Sequence, residues 1–169
     1  MSTARLMSLV SCTAVLSMGF VAPLRGQTPG VLDERVIAAN RELDRQLFEA
    51  HRLKDSAMVE SLFSKSPEVF LISPGGSLHT GRSSIRKSVQ SLFDHLESIR
   101  GEIKHISYVR AGDGVIAVGT VIYSRQPKTG PADQKTVIWT DYRRIEDGRW
   151  VYAFRHAHWP VETSNPVPK

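Results

Sequence analysis

Apolar and polar side chains alternate through residues 135–145 and again through residues 149–159, and the two runs flank Asp147-Gly148. Alternation of period two is the mark of a strand with one buried face, and Asp-Gly suits a two-residue type I′ turn. A hairpin closed there pairs Ile145 with Trp150, Arg143 with Tyr152, Asp141 with Phe154, Trp139 with His156 and Val137 with His158. These ten side chains share one sheet face if the ladder is regular. A single β-bulge between Trp150 and His156 turns His156 and His158 to the other face. A second strand pair is expected over residues 102–110 and 115–124. A two-residue turn at Asp113-Gly114 pairs His105 with Ile122, Ser107 with Thr120 and Val109 with Val118, and places His105 on the inner face.

The first half of the chain has a different period. Val36, Ala39, Leu43, Leu47 and Ala50 recur at three- and four-residue spacing, which predicts an amphipathic helix over residues 31–54. Asp55 or Ser56 can cap a short second helix with Met58, Val59, Leu62 and Phe63 on its apolar face, and Pro67 ends it. A short strand over residues 68–72 leads into the turn Ser73-Pro74-Gly75-Gly76. A third helix follows Gly81, with Ile85, Val89, Leu92, Phe93 and Leu96 as its stripe. Residues 126–133 form a loop. Three helices followed by long antiparallel strands predict an α+β domain over residues 28–160. Its curved antiparallel sheet is wrapped by the N-terminal helices into a cone with an internal pocket, and residues 161–169 form a flexible tail.

The first 27 residues stand apart. Arg5 precedes a largely apolar stretch over residues 6–20, small residues and Pro23 follow, and no Asp or Glu occurs before Asp33. This is the pattern of an export signal, and it predicts a periplasmic or secreted protein with no membrane attachment after cleavage. The alternative is an uncleaved anchor, but the stretch is broken by Ser8, Ser11, Thr13 and Ser17 and is marginal for a span of about 20 residues. Cys12 is the single cysteine of the chain, so the exported domain has no disulfide and no thiolate chemistry. Loss of Arg5 and Arg25 lowers the formal charge of +5 by two. The remaining basic residues are scattered, with no run and no basic-aromatic repeat, so nucleic acid is not an expected partner.

The predicted hairpin face holds the candidate chemistry. Trp139, Trp150, Tyr152 and Phe154 offer aromatic walls, and Asp141, Arg143, His156 and His158 offer polar groups, a mixture that suits a pocket for a small molecule. Asp141 could be a desolvated, neutral donor or the ion-pair partner of Arg143. Asp141, His156 and His105 could form an acid/base set, since an imidazole exchanges protons near pH 7 and a carboxylate fixes its tautomer. They could equally orient a ligand without reacting. Two histidines at His156-x-His158, with His105 or Asp141, could ligate a divalent metal. The motif is short and has no H-E-x-x-H or comparable companion, so neither a metal nor a cofactor is expected.

The order of these pieces resembles the nuclear transport factor 2-like superfamily, and within it the SnoaL-like and ketosteroid-isomerase-like branch. The resemblance runs over about residues 31–159. It rests on Leu53-Lys54-Asp55 ending a helix, on residues 69–73 before Pro74-Gly75-Gly76, and on Gly81-Arg82 opening a helix. The closing pieces are Thr140-Asp141-Tyr142 and Asp147-Gly148-Arg149-Trp150. The superfamily includes isomerases, dehydratases, hydrolases, cyclases and non-catalytic assembly domains, so the resemblance implies a fold and a pocket but not one reaction. It also implies a homodimer joined through the outer sheet face. Steroid isomerisation is not expected. The family's base position, before the proline, is held by Ser73, its helical tyrosine position by Leu47, and only Asp141 matches a donor. The expected function is binding of a small, largely apolar molecule. An acid/base isomerase, dehydratase or hydrolase and a non-catalytic dimerisation module are the alternatives.

Overall fold

A computed structural model describes residues 32–160; the expected export signal and C-terminal tail lie outside the described residues. Helix α1 (Glu34–Leu53) starts at Asp33, whose carboxylate accepts the Arg35 backbone N–H at 2.8 Å, and stops at Lys54 in the left-handed conformation. Its buried stripe contains Leu43, Leu47 and Ala50, but also Asn40 and Asp44. Helix α2 (Ser56–Ser61) is capped by Asp55, which accepts from the Met58 N–H at 2.8 Å. Strands β1 (Phe70–Ile72) and β2 (Leu78–Thr80) form a small hairpin over the proline-glycine turn. Helix α3 (Arg82–Asp94) buries Ile85, Val89 and Phe93.

Four long strands follow: β3 (Leu96–Ala111), β4 (Gly114–Pro127), β5 (Asp133–Glu146) and β6 (Arg149–His158). The sheet order is β2-β1-β6-β5-β4-β3, antiparallel except where β1 runs parallel to β6. The helices pack on the concave face of this curved sheet, as the sequence predicts. The core between them includes Leu47, Phe63, Ile85, Val121, Trp139 and Tyr152. Burying each such side chain contributes about 1.5–3 kcal/mol.

The β5–β6 turn forms at Asp147 (φ 52°) and Gly148 (φ 75°), with Ile145 opposite Trp150 and Arg143 opposite Tyr152. Both central residues sit in the left-handed region that a type I′ turn requires. Gly148→Ala is therefore expected to cost about 1–2 kcal/mol, read as a lower midpoint in urea denaturation. Beyond Arg143 the ladder slips. An extra residue on β6 forms a bulge at Ala153, so Tyr142 faces Phe154, Asp141 faces Arg155, Thr140 faces His156, Trp139 faces Ala157 and Ile138 faces His158. A bulge sharpens strand twist and lets a long hairpin bend round the helices, and it reverses every face assignment after it. Phe154, His156 and His158 thus lie on the outer face, not the inner one expected from a regular ladder.

The β3–β4 hairpin also differs from the expected register. The turn is Gly112-Asp113, with Ala111 opposite Gly114 and Gly112 at φ 62°, the first central position where a type II′ turn needs positive φ. Gly114 instead opens β4, where a Cβ would lie 2.6 Å from the Tyr142 ring. In this register His105 lies opposite Thr120, on the same outer face as the exposed Val109 and Val118, and is itself exposed; a second shift follows between Ile103 and His105. Its Nε2 lies 3.1 Å from the Ser107 hydroxyl. The inward placement expected for His105 is therefore corrected.

Candidate functional site

The inner stripe of α1 and the inner faces of β5 and β6 bring four charged side chains together in the core. Asp44 comes from the helix, Asp141 and Arg143 from alternate positions on β5, and Arg155 from β6 because the bulge turns it inward. Arg143 donates to Asp44 through Nη1 at 3.0 Å and Nη2 at 2.6 Å, and to Asp141 Oδ2 through Nη2 at 2.8 Å. Arg155 Nη1 donates to the same Asp141 oxygen at 3.0 Å. The result is an alternating row, Asp44–Arg143–Asp141–Arg155, in which no member is more than 6% exposed. Its formal charges cancel, which a low-dielectric interior demands.

Tyrosines complete the row. Tyr152 donates to Asp44 Oδ1 at 3.1 Å and Tyr108 donates to Asp44 Oδ2 at 2.8 Å. Both rings also flank the Arg143 guanidinium, at 4.9 and 5.6 Å. Burial pushes the Tyr152 phenol well above its ordinary range, so it is a donor at neutral pH. Burial also pushes the Asp141 carboxyl up, and the Arg155 and Arg143 guanidiniums oppose that shift. Because Oδ2 accepts from both arginines, Asp141 is an ion-pair acceptor in this geometry rather than a free donor.

A cavity of about 300 Å³ lies beside this row, between the helices and the sheet. Leu47, Val59, Val89, Ile99, Val137 and Ala157 make its walls apolar. The polar groups on it are His51, Tyr123 and Arg155, with Ser73, Ser88, Arg125 and Lys135 also on its lining and no carboxylate among the described residues. His51 Nδ1 lies 3.1 Å from the Tyr123 hydroxyl. Burial, reinforced by the Arg155 charge, pushes the His51 imidazole down to about 3, and burial pushes the Tyr123 phenol up to about 12. At neutral pH the pair is thus an uncharged imidazole and a protonated phenol, suited to orienting a ligand. An imidazole held so low is a weak base.

The His51 shift has a consequence for stability. Above pH 6.5 the ring is neutral in both folded and unfolded chains, and its contribution is constant. Between pH 6.5 and about 3 the unfolded chain binds a proton that the folded chain does not, so stability falls as pH falls. Denaturant titrations over this window are expected to show the native protein losing up to about 1.4 kcal/mol per pH unit more than His51→Gln.

The residues singled out from sequence separate into three places. Trp139, Asp141, Arg143 and Tyr152 are fully buried in or against the charged row, beneath the cavity rather than on its lining. Trp150 packs against the edge of the core near the hairpin turn. Phe154, His156 and His158 lie outside, where Phe154 stacks between Phe70 and Tyr142 at 5.4 and 6.2 Å, and the two imidazoles are 5.5 Å apart. Asp141 and the histidines are on opposite faces, so the set of Asp141, His156 and His105 is not assembled. The groups that do meet in the cavity are His51, Tyr123 and Arg155. His51 follows Leu47 by four residues, and Tyr123 follows Val121 by two, so period alone points both inward. Arg155 is inward only because of the bulge.

Comparison with known proteins fits this architecture. No curated protein matches the chain. Among solved structures, an NTF2-like superfamily protein from Salmonella enterica serovar Typhimurium superposes with a TM-score of 0.72 and 16% identity, covering 80% of this chain and 99% of its own. A candidate scytalone dehydratase from Novosphingobium aromaticivorans gives 0.68 and 13%, covering 78% and 89%. A hexachlorocyclohexane dehydrochlorinase (LinA type 2) gives 0.67 and 12%, covering 80% and 95%. At these identities the likeness is one of fold. The fold is thus that of the NTF2-like proteins, and the SnoaL-like domain profile matches residues 45–153, from the middle of α1 to the bulge on β6, so the chain belongs to the SnoaL-like domain family.

Proposed function

We propose that this protein binds one small, largely apolar molecule in the cone, held by His51, Tyr123 and Arg155. The observation that carries this reading is the cavity itself: about 300 Å³, apolar walls, and three convergent polar groups. That volume is at the lower end for ligand pockets, so the ligand is compact. N-phenyl-1-naphthylamine, a neutral fluorescent probe, is expected to bind saturably at one site per chain. Val89→Phe, which fills the cavity from α3, is expected to weaken that binding about tenfold while the circular dichroism spectrum is retained. Equal binding by both proteins would contradict the proposal.

A second reading, acid/base elimination or isomerisation, draws support from the His51–Tyr123 pair and from the dehydratase and dehydrochlorinase names among the structural relatives. Turnover lost in both His51→Gln and Tyr123→Phe, with ligand affinity kept, would favour it. The N-terminal pattern supports export before this function is exercised. Amino-terminal sequencing of the protein from its native cells checks that, an intact Met1 being the contrary result. The outer sheet face, with exposed Val109 and Val118 and the Phe70–Phe154–Tyr142 stack, supports a homodimer through that face. Light scattering of the native protein and of Val118→Glu tests it.

A further inference from the structure

The charged row has an open end. Asp44, Arg143, Asp141 and Arg155 alternate in sign, and Arg143 shows the pattern of an internal member: its two terminal nitrogens reach carboxylates on both sides. Arg155 is satisfied on one side only. Nη1 donates to Asp141, while Nε and Nη2 have no hydrogen-bond partner among the described residues. Both nitrogens keep accessible surface, since neither is among the sealed, unpartnered polar atoms, and Arg155 is on the cavity lining. This side chain is only 8% exposed, so its free edge faces the cavity rather than bulk solvent. Nε and Nη2 are the pair of donors that a planar, two-oxygen acceptor engages side-on.

From this we infer that the ligand of the cavity is a carboxylate with a compact apolar body, its two oxygens on the Nε–Nη2 edge of Arg155. The inference rests on the cavity being a ligand site. It adds the fifth member to the row, so that Arg155 lies between two carboxylates as Arg143 does. The surroundings agree. Among the described residues no Asp or Glu lines the cavity, Lys135 adds positive charge to it while the Arg125 guanidinium is paired with Asp133, and the walls otherwise suit hydrocarbon. The Trp139 ring, 5.3 Å from the Arg155 guanidinium carbon, holds that plane in place. Tyr123 and the neutral His51 are left to bind a further polar atom of the ligand or a bridging water.

The test compares three acids with their uncharged amides of equal shape: phenylacetate, octanoate and 2-naphthylacetate against the corresponding carboxamides, by calorimetry at pH 7. At least one acid is expected to bind about tenfold or more tighter than its amide, as a charge-assisted bidentate pair gives. The preference should vanish in Arg155→Met and shrink in Arg155→Lys, which keeps the charge but loses the fork. Because removing a buried arginine can unfold the chain, the unmodified protein gives an independent reading. In ¹⁵N-labelled protein a single arginine Nε–H resonance should move with the acid and stay fixed with the amide. If no acid is preferred over its amide, or no arginine Nε–H responds, the inference is overturned. Saturable naphthylamine binding in that same protein would show that the cavity reading survives it, and absence of such binding that both fail.

Discussion

Asp44→Ala is expected to remove about 3–5 kcal/mol of folding stability, a large part of what a domain of this size has. Asp44 is 1% exposed and accepts four hydrogen bonds, two from Arg143 and one each from Tyr108 and Tyr152. Its loss leaves a buried guanidinium with Asp141 as its remaining carboxylate partner and two phenols without their acceptor. The neighbours cannot rearrange to water, because Arg143 and Tyr152 are fully buried. Guanidinium chloride denaturation measures the loss directly. A double variant, Asp44→Leu with Arg143→Met, separates the causes: it removes the orphaned charge and is expected to be more stable than Asp44→Ala alone. If Asp44→Ala unfolds like the native protein, the row is not what orders this core.

The second large effect is expected at Trp139. This is the largest fully buried side chain, and Trp139→Ala is expected to cost about 3–5 kcal/mol. The indole lies over Gly119 on the neighbouring strand, where a Cβ would land on ring carbons Cζ2 and Cη2 and within 2.8 Å of the His105 carbonyl. Gly119 is thus kept bare so that the indole can lie against backbone, and Gly119→Ala is expected to destabilise by overpacking, by about 1–3 kcal/mol. The two substitutions act on one contact. Gly119→Ala should therefore cost less in a Trp139→Ala background, where the ring no longer opposes the added methyl although the His105 carbonyl still does. Thermal unfolding of the four proteins of this cycle reads the coupling.

The sequence carried the fold because its strongest signals were long ones. The helical stripe through Val36, Leu43, Leu47 and Ala50 and the alternation on both sides of Asp147-Gly148 each repeat over several turns or residue pairs, and each specified its element. The site was less legible, because it depends on single-residue irregularities that leave no periodic trace. Ala153 adds one residue to β6 and exchanges His156 for Arg155 on the inner face. At the other hairpin, two neighbouring glycines compete for one turn. Gly112 takes the positive φ, and Gly114 takes a strand position where a Cβ would meet the Arg143 carbonyl and the Tyr142 ring, a constraint between strands that local sequence does not encode. Asp44 has no periodic trace either: it stands between Leu43 and Arg45 on α1, and its buried partners Arg143 and Tyr152 are about 100 residues away.

The central claim is that the cone interior, and not the outer sheet face, receives the ligand. A ¹H–¹⁵N correlation titration of the native protein with indole, a compact neutral aromatic, tests it residue by residue. The account predicts saturable shifts at Leu47, His51, Tyr123, Val137, Arg155 and Ala157, all on the cavity lining. Shifts centred instead on Phe70, Tyr142, Phe154 and His156, or no saturable shift at any residue, would contradict it.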